Sequence, residues 1–196
     1  MKKLLSVLLC LMLCVSAAAM AESADVQSIT SVSGLFTYDL PSDYLVITAD
    51  TAETIINAYG ADMLAEAGMD ASILESMDYA NTDYAYTSDF SGNLNVQITA
   101  ESGLSQSMLE SLASMLDKSL TDTYVQFGVA EEDCEPRGVE QIGENIFYMF
   151  HVNMLGSTMD QFITFNEAQT MFTITCTNMD EAAERAILES FKLIEE

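Results

Sequence analysis

His151 is the only histidine in the sequence, so it is the only side chain whose ordinary titration falls near neutral pH. To act as a general base it needs a nucleophile to activate or a group to orient it. It sits in the run Ile146 to Met154, which is apolar on both faces. Period-2 spacing puts it on the face of Phe147 and Met149. The expectation is a satisfied core or edge histidine rather than a catalyst. Cys134 or Cys176 with His151 is the one thiol–imidazole pairing available. No Gly-x-Ser-x-Gly elbow, His-Glu-x-x-His pair, phosphate loop or dinucleotide fingerprint occurs. Glu131-Glu132-Asp133 with Glu135 is the densest acidic run, and its oxygens suit calcium or magnesium. Without an Asp-x-Asp-x-Asp-Gly loop it reads as a solvated turn. Paired carboxylates run many glycosidases, but among 31 Asp and Glu some pair meets by chance. Tyr79, Tyr84 and Tyr86 could form a binding face. At strand spacing, Tyr84 and Tyr86 are expected instead as core beneath a helix. No catalytic, cofactor-binding or metal-binding residue is therefore assigned, and no cofactor is expected.

The N-terminus reads as an address. Lys2 and Lys3 precede an apolar run from Leu4 to Val15, then small residues and the triplet Ala19-Met20-Ala21. That is the order of a secretory signal peptide over 1–21, cleaved after Ala21. The run is short of the ~20 residues that span a bilayer. Cys10 follows Leu9 and Cys14 follows Leu13, so neither has the small residue that precedes an acylated cysteine. Export to the cell envelope or the extracellular space is expected, with no stable membrane insertion after cleavage. Only Cys134 and Cys176 remain after cleavage. Oxidising conditions favour a disulfide between them, which would restrict the unfolded chain by about 3–4 kcal/mol. The alternative is two separate buried thiols, because Cys176 shares a strand face with Phe172 and Ile174. Two thiols and one imidazole fall short of the four ligands of a closed zinc site.

The whole chain carries a net charge of −25, and from Glu22 onward four Lys/Arg face 31 acids, a net of −27. Such a field repels nucleic acid and anionic membrane and favours cations and basic proteins. At 49% hydrophobic residues the chain is too apolar for disorder. From Glu22 it has the length of one domain. Residues 22–33 are polar and expected as a flexible lead-in, with a single domain over 34–196.

The elements that must position these residues are legible from period and punctuation. Phe36, Tyr38 and Leu40 alternate with polar residues, Pro41-Ser42-Asp43 turns, and Tyr44 to Thr48 returns, which predicts a hairpin. Asp50 with Glu53 predicts a capping box opening a helix that ends at Gly60. A second helix is expected over roughly 62–77, with Asp70 capping its second half. Residues 84–90 and 94–99 predict a hairpin about Ser91-Gly92-Asn93. A helix is expected from Ser105 or Ser107, with Glu110 completing a cap and Leu109, Leu112, Leu116 and Leu120 inward. Strands then end at Ile142, run from Ile146 to Met154 and Met159 to Phe165, and close at Met171 to Cys176. Asp180 caps a last helix with Ala183, Ile187, Phe191 and Ile194 inward.

Two stretches carry a resemblance. Phe36-x-Tyr38-x-Leu40-Pro41-x-Asp43-Tyr44 is similar to the opening strand, proline and aromatic of bacterial exported PsbP-like proteins. Phe172-x-Ile174-x-Cys176 followed by Arg185 to Lys192 resembles the last strand and closing Ser-Phe-Lys helix of that superfamily. The opening motif usually ends in Gly-Trp, whereas this chain has Asp43-Tyr44 and no tryptophan. The resemblance implies an α+β fold, an antiparallel sheet covered by helices in an α/β/α sandwich, and an accessory or binding role. It transfers no site residue. The expected function is a non-catalytic, acidic binding or accessory domain whose partner is an envelope or extracellular protein. The alternatives are an extracellular hydrolase and an acidic protein that responds to weakly bound divalent cations.

Overall fold

The computed structural model of the chain describes residues 25–60, 72, 74, 77–100 and 102–194. The expected signal peptide lies outside the described residues, as does most of the helix expected over 62–77, including Asp70.

The chain is α+β. The first stretch runs β1 (Val26–Thr30), β2 (Phe36–Pro41), β3 (Tyr44–Ile47), α1 (Ala49–Tyr59), β4 (Thr82–Thr87) and β5 (Asn93–Thr99). Then follow α2 (Leu109–Gln126), β6 (Cys134–Ile142), β7 (Asn145–Met154), β8 (Ser157–Phe165), β9 (Met171–Thr177), α3 (Glu181–Ser190) and β10 (Lys192–Leu193). A seven-stranded antiparallel sheet has the order β3-β4-β5-β9-β8-β7-β6, and a smaller one the order β1-β2-β10.

Alternation decides what lies on each face of the large sheet. Leu94, Val96, Phe147, Phe162, Phe172 and Ile174 face one way. They are covered by Phe36, Tyr38 and Leu40 of β2 and by Ile187, Leu188 and Phe191 at α3. Tyr148, Phe150, Val152, Ile163 and Phe165 face the other way, under α2. The Tyr148 hydroxyl donates to Asp117 Oδ1 at 2.7 Å and ties α2 down. Tyr84 and Tyr86 pack with Ile47, Ala52 and Ile55, where α1 covers the sheet. None of the described helices is long and apolar enough to cross a membrane.

Three local expectations are corrected. The hairpin across Pro41-Ser42-Asp43 does not form. β2 pairs with β1 from Thr37↔Thr30 to Pro41↔Val26, whereas β3 pairs with β4. The proline turn therefore carries the chain from one sheet to the other. The flexible lead-in over 22–33 is in part this β1 strand. It is an edge strand with little apolar signal, held by backbone pairing and by Gln27 Nε2, which donates to the carbonyls of Pro41 (3.2 Å) and Tyr44 (2.9 Å). The helix caps also differ. α1 is capped by Thr48, which exchanges hydrogen bonds with Thr51, and not by Asp50. A 3-10 turn, Gln106–Met108, leads into α2, and Ser105 and Ser107 bond each other at 3.0 Å instead of capping it. The Asp180 cap of α3 forms as expected, accepting from the amides of Ala182 and Ala183.

Candidate functional site: a polar row beneath α3

A row of polar side chains crosses the large sheet on the face that α3 covers. Strand register aligns Glu135 (β6), His151 (β7), Asp160 (β8) and Cys176 (β9) as successive neighbours. The row enters an otherwise apolar face because Asp160 lies two residues from Phe162, and Cys176 two from Ile174, on the same side of the sheet.

A bulge brings in the fifth member. β6 is an edge strand, the position that tolerates Pro136. The register slips between Pro136↔Phe150 and Gly138↔Met149, leaving Arg137 as the extra residue. Gly138 takes φ +80°, which an L side chain rarely adopts. The bulge lets Arg137 Nη1 donate to Asp160 Oδ1 at 2.9 Å while Val139 still packs beneath α2. The same oxygen meets His151 Nδ1 at 2.9 Å. A carboxylate oxygen accepts, so Nδ1 carries the proton and Nε2 is the open ring nitrogen.

Glu184 of α3 completes the cluster from above. It lies on the helix's buried stripe, three and four residues before Ile187 and Leu188, and it is only 4% exposed. Its carboxyl accepts no hydrogen bond from any described residue. Desolvation first, and then the Asp160 charge, push its pKa up to about 8, against a smaller lowering by Arg137. A cleft of about 170 Å³ opens onto this carboxyl, walled by Ile142, Met149, Phe162 and Leu188. At its rim Arg185 pairs with Glu140 (2.9 Å) and Glu189 (3.4 Å). The glycine of the β6–β7 turn lets α3 approach: a Cβ on Gly143, at φ +59°, would come within 2.9 Å of the Glu189 carbonyl oxygen.

His151 is therefore where spacing put it, on the face of Phe147 and Met149, half-buried and bonded to Asp160. The thiol–imidazole pairings are not brought together. Cys134 packs with the cluster beneath α2, on the opposite face of the sheet. Cys176 shares the row but is two strands from His151, about 10 Å at ordinary strand spacing. Burial and the nearby Glu184 and Asp160 carboxyls push its thiol well above the usual thiol range.

The expected Cys134–Cys176 disulfide is also corrected: both thiols are free. They lie three strands apart, about 14 Å, and on opposite faces, whereas a bridge needs Cα atoms within about 7 Å. Labelling in denaturant without reductant should find both Cys134 and Cys176 reactive. A protected pair would contradict this placement.

The acidic run at 131–133 is an exposed 3-10 turn. Among the described residues no cluster of His, Cys, Asp and Glu is arranged to hold a metal ion. A larger cleft, about 450 Å³, lies near Gln106, Asn145 and Glu167. Gln106 and Asn145 are engaged there in a structural latch. Asn145 Nδ2 donates to the Phe191 carbonyl at 2.7 Å, and Gln106 Nε2 to the Phe165 carbonyl at 2.9 Å.

Arg137, Asp160 and Glu184 were not singled out from the sequence. The signals were there: a Pro-Arg-Gly triplet in a strand, and two carboxylates at core-facing positions of otherwise apolar stripes.

No family model matches the sequence, and no curated protein matches it. Among solved structures, a crystal structure at 1.50 Å resolution of a protein from Bacteroides thetaiotaomicron VPI-5482 is similar at 12% identity with a TM-score of 0.48. The match covers 87% of this chain and 49% of that one, so the chain spans about half the length of the structure it matches.

Proposed function

We propose that this chain is an exported, acidic, non-catalytic binding domain whose partner presents cationic groups in the envelope or outside the cell. The observation that carries the proposal is the imbalance of charge on a folded surface. Of the four Lys and Arg among the described residues, Lys118, Arg137 and Arg185 are already ion-paired with carboxylates. Most of the 31 acids are left to set the outer field, which attracts basic surfaces and speeds their encounter. The resemblance to PsbP-like accessory domains points the same way.

The histidine arrangement is consistent with this. His151 has an orienting carboxylate, but among the described residues no hydroxyl or thiol is hydrogen-bonded to its ring.

The test compares exported wild type with His151→Ala in native capture experiments across a salt series and against panels of hydrolase substrates. Capture that weakens as salt rises, without turnover, is expected from both proteins. Turnover by wild type that is lost in a folded His151→Ala variant would overturn the proposal in favour of a hydrolase.

A further inference from the structure

We propose that the cleft between α3 and strands β6–β8 binds a primary alkylammonium group, with the Glu184 carboxylate as its counter-ion. The inference rests on the reading of the domain as a binder of cationic partners and gives that reading a site.

The geometry sets the charge of the ligand. Both arginines at the cleft are already held by carboxylates, Arg137 by Asp160 and Arg185 by Glu140 and Glu189. They leave little for an anion. Glu184, in contrast, is more than nine-tenths buried, lines the cleft and accepts no hydrogen bond from any described residue. A buried carboxylate without a partner is costly, and an ammonium supplies both the charge and the donors it lacks.

The walls set the rest of the ligand. Ile142, Met149, Phe162 and Leu188 offer an apolar lining suited to an aliphatic stem. At ~30 Å³ per water-sized unit, the cleft of about 170 Å³ has room for about six heavy atoms. A four-carbon stem ending in an ammonium fits, and a lysine side chain has that form. A free alkylamine and a lysine of a protein partner present the same chemistry.

Binding is coupled to a proton. Glu184 is held in its neutral form by burial and by the charges that face it, Asp160 from β8 and Asp180 and Glu181 from the start of its own helix, against Arg137 from β6; the Cys176 thiol of β9 also faces it and is itself kept neutral by burial. His151 of β7 reaches the cluster through Asp160, and Tyr44 of β3 borders it. An arriving ammonium displaces the carboxyl proton, so affinity rises with pH until Glu184 is ionised in the free protein.

The experiment titrates the exported protein with n-butylammonium chloride at constant ionic strength, followed by NMR across pH. Saturable binding is expected, tightening up to about tenfold per pH unit below about pH 8 and levelling above it. Glu184→Gln, close in shape and neutral, should lose at least tenfold in affinity and all of the pH slope, whereas Glu110→Gln, exposed on α2 at the other face of the sheet, should not. Nα-acetyl-lysine methylamide is run in parallel. Binding by both probes assigns the site to lysine side chains, and binding by n-butylammonium alone assigns it to small free amines. Binding no tighter than sodium, or unchanged in Glu184→Gln, overturns the proposal. Salt-sensitive capture of a partner that persists in that case leaves the binding function standing and places its surface elsewhere. Turnover, not the amine titration, is what would defeat the function itself.

Discussion

Replacing Glu184 with glutamine is expected to stabilise the protein above pH ~8 and to leave its stability nearly unchanged below pH ~4.5. In the unfolded chain this carboxyl loses its proton near 4.5, and in the folded chain only near 8. Between those values the folded state holds a proton that the unfolded state has lost. Stability therefore falls as pH rises through that window, and the deficit is complete once the folded carboxyl ionises. At roughly 1.4 kcal/mol per pH unit the deficit reaches at most about 4–5 kcal/mol. For a chain of this length that is a shift of the order of 10 °C in Tm. The neutral amide removes it. Thermal melts of both proteins across pH 4–9 check the result through the difference between the curves, in which the titrating groups not coupled to Glu184 cancel. Parallel curves would mean that Glu184 ionises as freely in the fold as in water.

Phe191→Ala is expected to be the most destabilising single change, at about 3–5 kcal/mol. Phe191 follows the last turn of α3 and is the ring on which the layers meet. Its centroid lies 5.0 Å from Phe36 in a stacked pair and 6.2 Å and 6.3 Å from Phe147 and Phe172 edge-on. It thus joins β2 of the small sheet to β7 and β9 of the large one. Its carbonyl also takes the Asn145 hydrogen bond, which a truncated side chain at a shifted backbone would loosen. Urea unfolding measures the loss as a lower midpoint. A loss below about 1 kcal/mol would show that the small sheet and α3 are not anchored through this ring.

The elements legible in the sequence are those whose neighbours are also neighbours in the chain. The β6–β9 meander, the β4–β5 hairpin and the Asp180 cap of α3 follow from alternation, turn residues and one short side chain. The small sheet was not legible, because β2 pairs with β1 before it and β10 at the far end of the chain. Pro41-Ser42-Asp43 looks the same whether the chain folds back or crosses to another sheet. The disulfide expectation failed for a related reason: spacing says nothing about which face of the sheet Cys134 occupies.

The candidate site was half legible. His151 was placed on its face by period alone. Its partners were not, because Asp160 and Glu184 interrupt apolar stripes that hydrophobic patterning reads as merely imperfect. Arg137 shares their face while Val139, two residues on, packs on the other, because a bulge intervenes, and alternation cannot anticipate a bulge.

That a cationic group is what this acidic domain recognises is tested most directly by titrating the 15N-labelled protein with tetralysine at physiological salt. The prediction is saturable shifts concentrated at Arg137, Met149 and Phe162 and along α3 from Glu181 to Leu188. Shifts that never saturate, or that spread evenly over the acidic surface, would contradict it.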